Sequence, residues 1–403
     1  MKLDPSERLG HTQINPLAPA SADHPQPGTR SRPRIGVNLL YLRPGTISGT
    51  GNYAWRILEV LAQRGNLDLV VFCQGASPSV NAAFEGVRFI ETGAFRNVIS
   101  RIAYEQVVLP MRGVSEGIEL MWSPAYVSVL WGRFRKVVSV PDLYYRKIPW
   151  AIDTWQRAYW RMFIPASARL ADAIVAISMN TAQDLLEILP ASKDKLHVVH
   201  LAPSLNRSYE VRKCRLPVEG SYALVVAHLT RNKNIETVVK AARILQQNGI
   251  GCRVCVAGRD SQGLLAKAIK DNSAQDCVVV CGEVSDQVLC DLYENAICLV
   301  HASLYEGFGL PALEAQAMGA PLVCSNGGAL PEVAGDGAIY FNPRDPEELA
   351  QIIGRLTDRP DERRHWRERG AENLRRFSWE KTAEGMERIF NDVLKGNRAP
   401  KAL

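Results

Sequence analysis

The chain has 403 residues, 46% of them apolar and 22% charged, an ordinary globular balance with length for two or three domains. No run of eighteen apolar residues occurs, which excludes a spanning helix. The start is polar and proline-rich with no apolar signal core, so a cytoplasmic location is expected.

Charge is uneven. Residues 1–215 carry 26 Lys and Arg against 17 Asp and Glu, whereas residues 216–403 carry 22 against 25. A basic first half can be drawn to an anionic membrane surface. No aromatic-interleaved basic motif accompanies it, so nucleic acid is not expected as a partner. Nine cysteines form no even framework and read as buried free thiols. Cys252 and Cys255 make a C-x-x-C, but in an apolar run with no second pair at metal spacing.

Residues 1–33 are rich in Pro, Ser and polar groups and are expected to be a disordered tail. Strand-like runs follow at 35–40, 69–73, 87–90, 118–122, 136–140, 173–177 and 196–200. Between the first two, Ala54, Ile57, Leu58, Leu61 and Ala62 recur at helical spacing, and Gly65 ends the run. Residues 206–221 are polar and broken and read as a linker. Strand-like runs resume at 223–227, 253–258, 277–282, 297–303 and 321–325. Continuous Val and Ile runs separated by amphipathic helices indicate parallel sheet covered on both faces. The expected organisation is a first lobe over 34–205, a second over 222–378, and a final helix over 379–397.

The segment richest in chemistry is SLYEGFGLPALEAQAMGAP, residues 303–321. It follows an apolar strand and places seven residues between Glu306 and the next acid, Glu314. Gly307 and Gly309 leave the backbone bare for close approach of a ligand. Pro311 suits the first turn of a helix. That helix would aim free N–H groups of about residues 309–312 into a cleft, where phosphate is favoured. Glu314 is expected within that first turn, so both carboxylates can face one ligand.

EGFGLPALEA resembles the signature of glycosyltransferase family 4, retaining enzymes of GT-B architecture that use nucleotide sugars. The likeness is almost continuous over 291–353, extends to 222–245 and 171–205, and covers most of 34–390. It implies an α/β fold of two Rossmann-like lobes, each a mainly parallel sheet flanked by helices, with a C-terminal crossover helix. The first lobe would bind acceptor and the second the nucleotide sugar.

The resemblance also implies roles. Glu306 would contact hydroxyls of the transferred sugar, and the backbone of Gly307, Phe308 and Gly309, with Leu310 beside them, would bind sugar or phosphate. Glu314 would hold the ribose, and Lys233, with Arg231 as its neighbour, the diphosphate. Gly49 and Gly51 resemble the family's glycine loop near the donor phosphates. Pro141 stands before Asp142 where the family usually carries a His, so Asp142 either faces the sugar or acceptor or caps its loop. His228 and His301 are smaller departures, the first where some members have a phosphate-binding Arg and the second where Pro is common. A Lys or Arg with a helix N-terminus can stabilise a departing diphosphate without a metal, and no tight Asp-x-Asp motif is present. No cofactor is therefore expected beyond the nucleotide-sugar co-substrate.

GDP-mannose is the favoured donor, though UDP-glucose-type donors share the loop. A glycan or polyprenyl-diphosphate-linked acceptor in bacterial surface polysaccharide synthesis is the expected setting, at the inner face of the plasma membrane. Two other readings stay open: a nucleotide-sugar epimerase of the same fold, and a catalytically silent sugar-nucleotide-binding partner, for which Pro141 is the motive.

Overall fold

A computed structural model describes residues 32–43, 49–75, 84–205 and 216–396. The expected tail, but for its last two residues, and most of the expected linker lie outside these.

Among the described residues the apolar runs build two sheets. The first comprises β1 (Arg34–Asn38), β2 (Asp68–Cys73), β3 (Arg88–Glu91), β4 (Leu120–Ser123), β5 (Arg135–Val140), β6 (Ala173–Ala176) and β7 (Leu196–Val198), in the order β3-β2-β1-β4-β5-β6-β7. The second comprises β8 (Ser221–Val226), β9 (Cys252–Ala257), β10 (Val278–Gly282), β11 (Cys298–His301), β12 (Leu322–Ser325) and β13 (Ala338–Phe341), in the order β10-β9-β8-β11-β12-β13. Every strand pairing is parallel.

Side chains alternate across each strand, which explains why the runs are apolar throughout. In β2, Leu69, Val71 and Cys73 enter one core while Val70 and Phe72 enter another on the opposite face. In β8, Ala223 and Val225 point one way, Tyr222 and Leu224 the other. Helices cover both faces, so neither side needs polar residues. The expected α/β class with two Rossmann-like lobes is the observed one.

Strand order reverses between β1 and β4 in the first sheet, and between β8 and β11 in the second. Loops leaving the carboxyl ends of these neighbours diverge to opposite faces and leave a crevice, the usual ligand position in open parallel sheets.

The helix Trp379–Leu394 follows the second sheet in the chain but packs on the first lobe. Met386, Ile389, Phe390 and Val393 join the core formed by β1 and β2, and Phe390 lies 5.9 Å from Trp122, ring to ring. Phe308, Leu313 and Val333 of the second lobe enter the same core, so the lobes share apolar packing as well as polar contacts.

The strongest polar join is made by Glu332. Its carboxylate accepts from the backbone N–H of Met179 at 2.8 Å and of Asn180 at 3.1 Å. These open the first-lobe helix Met179–Ile188, whose N-terminus favours an anion. Nε2 of His200 lies 2.6 Å from the same carboxylate. Burial alone would raise the Glu332 carboxyl, but the His200 hydrogen bond and the two amides turn the net shift downward. A lowered folded value means that the stabilisation is complete at neutral pH and fades as pH falls through it. Glu332→Gln should therefore cost about 1–3 kcal/mol at pH 7. Thermal unfolding across pH should show its gap from wild type narrowing below the ordinary Glu value of 4.5. A gap independent of pH would remove the carboxylate's role in joining the lobes.

Candidate active site

At the second sheet's reversal, β8 runs into residues 227–234 and β11 into residues 302–309. The first loop makes a single turn, Arg231–Lys233, closed by Asn234 at φ 54°. Asn is among the residues that tolerate this left-handed position. Its side-chain amide donates to the carbonyls of Ala302 and Pro343 at 3.2 and 2.6 Å, and the N–H of Leu304 donates to Asn232 O at 2.8 Å. The two loops are thus stapled to each other.

That staple sets the central contact. Lys233 Nζ lies 2.5 Å from Glu306 Oε1, with both side chains mostly buried. His301, the buried last residue of β11, places Nε2 3.2 Å from the same oxygen. Its Nδ1 is buried without a hydrogen-bond partner among the described residues. The Glu306 backbone is fixed from behind, its carbonyl accepting from Ala329 N–H at 2.9 Å beside a bridge to Gly328. Burial would raise the Glu306 carboxyl; Lys233's charge and the His301 hydrogen bond overcome it and hold the group well below the usual range.

The helix Leu310–Met318 begins after Gly309, which has φ +97° and serves as the N-cap with no side chain capping the turn. A Cβ at Gly309 would come within 2.6 Å of Leu330. Within the first turn Pro311 has no N–H and the Ala312 N–H donates to the Gly309 carbonyl at 2.9 Å, so the amides presented at the helix start are those of Gly309 and Leu310. Residues 310–313 make up the first turn, so Glu314 opens the second turn rather than lying in the first as the sequence reading placed it. Glu314 is buried and accepts from the Tyr293 hydroxyl at 3.1 Å. Burial raises its carboxyl to about 7, only partly opposed by that hydrogen bond. The two acids thus have different partners: Glu306 a cation and an imidazole, Glu314 a phenol.

Gly307 has a reason for being glycine that its sequence does not show. A Cβ there would lie 2.1 Å from Pro141 O and 2.6 Å from Asp142 Cβ, so the loop is pressed against the first lobe. Thr181 Oγ1 reaches the carbonyls of both Pro141 and Gly307, at 3.2 and 3.5 Å. Phe308 is buried, its ring facing His200 and Phe377; only its backbone is available to a ligand. Leu310 packs against the same shared core.

Asp142 accepts from the Tyr126 hydroxyl at 2.8 Å and from Tyr144 N–H at 3.3 Å. Burial raises its carboxyl to about 6, with the Glu306 charge adding to the rise and Lys233 opposing it. It is therefore electrostatically part of the Lys233–Glu306 group. Arg231 turns elsewhere, donating to the Trp150 carbonyl at 3.2 Å across the lobe junction. His228 is exposed, 3.4 Å from Ser261 Oγ. Gly49 and Gly51 lie in the first turn of the helix Gly49–Arg64 rather than in a free loop; residues 44–48 before it are outside the described ones.

Sequence reasoning underrated His301 and missed Glu332. The only signal for His301 was a polar residue closing an otherwise apolar strand. Nothing in the sequence links Glu332 to residue 179, 153 positions away. The assembled site offers an ammonium, a helix N-terminus and carboxylates in one partly water-excluded place. Such a set suits a ligand that is both phosphorylated and rich in hydroxyls.

Comparison with known proteins agrees with this chemistry. A relative from Mycolicibacterium hassiacum, an MMP alpha-(1->4)-mannosyltransferase, is 31% identical over 62% of this chain and 62% of its own length. The O-antigen chain mannosyltransferase B of Escherichia coli is 29% identical over 55% of this chain and 61% of its own. The aligned stretch thus spans about three fifths of these relatives. Among solved structures, a sucrose-phosphate synthase from Thermosynechococcus elongatus superposes with a TM-score of 0.75 over 91% of this chain and 100% of that one, at 20% identity, a likeness of fold. The model described as Glycosyltransferase Family 4 matches residues 47–207, and that described as Glycosyl transferases group 1 matches 207–373. Together the two take in most of both lobes, and the chain belongs to glycosyltransferase family 4.

Proposed function

We propose that the protein transfers a hexose, mannose before others, from a nucleoside-diphosphate sugar to a hydroxyl of a glycan or lipid-linked glycan acceptor. The observation that carries this reading is the Lys233–Glu306–His301 group beside the uncapped helix N-terminus at Gly309. The names of the relatives support mannose, and GDP-mannose is the donor the reading favours.

In this scheme the diphosphate binds Lys233 and the backbone N–H groups of Gly309 and Leu310, where the helix Leu310–Met318 begins. Glu306 accepts from hydroxyls of the transferred sugar, and Glu314 from the ribose. The bond between the anomeric carbon and the diphosphate oxygen breaks as positive charge builds on the sugar ring. The acceptor oxygen forms the new glycosidic bond on the same face, and its proton passes to the departing diphosphate. Fixed positive charge from Lys233 and the helix terminus meets the developing anion without reorganisation, so the step is proposed to run without a metal. Asp142, facing the same place from the first lobe, is positioned to contact sugar or acceptor. The shared lobe junction excludes water and protects the donor from hydrolysis.

Lys233→Ala and Glu306→Ala should each lower kcat by about 10²–10³-fold with the fold retained by circular dichroism. GDP-mannose should raise the melting temperature of the wild type by mass action, and transfer should persist in EDTA. An unchanged rate in both variants would refute the assignment.

Contact with an anionic membrane is part of the same reading. Ile99, Val107, Met111 and Val114 are exposed at helical spacing along residues 98–115, Ile99 by 67%, and Trp131 lies beside them. Arg96, Arg112 and Arg133 are exposed around this stripe, while Glu105, the acid within the run, is buried. Apolar residues ringed by cations suit an anionic lipid surface. In flotation with phosphatidylglycerol vesicles the protein should rise with the lipid, less so at high salt. Ile99→Ser with Met111→Ser should weaken it, and equal behaviour with neutral vesicles would contradict this part.

A further inference from the structure

The one recognisable cysteine spacing in the sequence, Cys252-x-x-Cys255, does not bring two thiols together. Residues three apart on a strand point to opposite faces, so Cys252 enters the core on one side of β9 and Cys255 the core on the other. The partner of Cys255 lies instead on the neighbouring strand. Cys281 of β10 places its Sγ 2.9 Å from that of Cys255. An S–S bond is about 2.05 Å long, so less than about 1 Å separates this contact from bonding distance.

The local fold explains how the two meet and where the remaining movement comes from. β10 pairs with β9 through Val279 against Cys255 and Val280 against Val256, but then Gly282 stands opposite Ala257. Cys281 is therefore the extra residue of a bulge, and it packs into the same core as Val279 and Cys255. Among the described residues β10 is the outermost strand, hydrogen-bonded to β9 alone. Neighbouring strands lie about 4.8 Å apart, a separation that disulfides span. Closing the gap asks for a side-chain rotation and a small shift of an edge, not for a break in the sheet.

The two thiols are chemically unequal. Among the described residues Cys281 is the one cysteine that is not fully buried. The Cys255 S–H donates to its sulfur and holds the Cys281 thiol below the ordinary cysteine range, against the opposing effect of burial. Cys255 is shifted far upward by that same hydrogen bond and by burial. Burial raises each of the other described thiols. Cys281 thus supplies a thiolate, the reactive form, and Cys255 supplies a proton and a second sulfur. A structural zinc takes four ligands, whereas no group of three candidate ligands occurs among the described residues, so oxidation is the chemistry this pair offers.

We propose that Cys255 and Cys281 form a reversible disulfide, with a hydroperoxide as oxidant and a dithiol as reductant. The Cys281 thiolate attacks a peroxide oxygen. An S–O bond forms, the O–O bond breaks, and the departing alkoxide or hydroxide takes up the proton that Cys281 had released. The Cys255 sulfur then attacks the sulfur of the sulfenic acid. An S–S bond replaces the S–O bond, and the hydroxyl leaves as water with the Cys255 proton. Each sulfur loses one electron and the peroxide gains both; a dithiol reverses the change by exchange.

The bond joins strand ends that also set the candidate active site. Gly258 N–H donates to Gly282 O at 2.7 Å, and a Cβ at Gly258 would lie 2.0 Å from Ala227 O. Leu229 N–H, in the loop that carries Lys233, donates to Arg259 O at 2.8 Å. The assignment stands independently of the transfer reading.

The test treats the full chain, fully reduced and then freed of reductant, with hydrogen peroxide, alkylates the remaining thiols during unfolding, and maps them by mass spectrometry. Alkylation of Cys255 and Cys281 should fall together by at least about fivefold, with a linked peptide pair two hydrogens lighter than its parts, and dithiothreitol should restore both. In Cys281→Ser, Cys255 should stay fully alkylated. In Cys255→Ser, Cys281 should stop as a sulfenic acid that dimedone traps. The wild-type map decides the case if either variant fails to fold. Cys281 carried to sulfinic acid beside a free Cys255, Cys281 linked to any other cysteine, or both thiols unchanged in the wild type would overturn the proposal.

Discussion

The buried ion pair between Lys233 and Glu306 is the constraint around which the rest is arranged. Such a pair is poor at stabilising a fold, because desolvating two charges costs about as much as their attraction returns. Here it is held by two loops stapled through Asn232 and Asn234, and it is joined by an imidazole whose other nitrogen has no partner among the described residues. A ligand bearing both phosphate and hydroxyls gives each of these groups a partner it lacks or shares. The pair therefore makes most sense as a site held ready for exchange, with Lys233 and Glu306 neutralising each other until the ligand arrives.

Position follows from topology. Both strand-order reversals, β1 against β4 and β8 against β11, open at carboxyl strand ends, and their surroundings differ chemically. The second pairs an ammonium with carboxylates beside a helix terminus; the cavity at the first is lined by aromatic rings with Glu105 and Asp153. Gly307 against Pro141, Thr181 between their carbonyls, and Glu332 on the helix Met179–Ile188 hold the lobes together around the junction. Beside them Phe308, Leu313 and Val333 enter the first-lobe core, so the junction combines polar contacts with apolar packing. Asp142 spans the two halves: its Tyr126 partner faces the aromatic cavity, and its charge acts on Glu306.

Much of this was legible in the sequence. The Val and Ile runs announced buried parallel strands because a strand covered on both faces needs apolar residues at every position, as β2 and β8 show. The run EGFGLP displayed a turn, two glycines and a helix start within six residues, and its likeness to family 4 gave roles to Lys233 and the two acids. What remained hidden depended on through-space packing. Glu314 was expected in the first turn, but the helix opens at Leu310 and makes it the fifth helical residue, at the start of the second turn. Gly307 looked like room for a ligand, whereas its missing side chain admits the Pro141 carbonyl.

The most direct measurement is a crystal structure of the protein soaked with GDP-mannose or its slowly hydrolysed phosphonate analogue. The account requires the diphosphate oxygens within hydrogen-bond reach of Lys233 Nζ and the backbone at Gly309 and Leu310, with the sugar hydroxyls against Glu306. Density for the nucleotide sugar at another place, with the Lys233–Glu306 contact undisturbed, would contradict it.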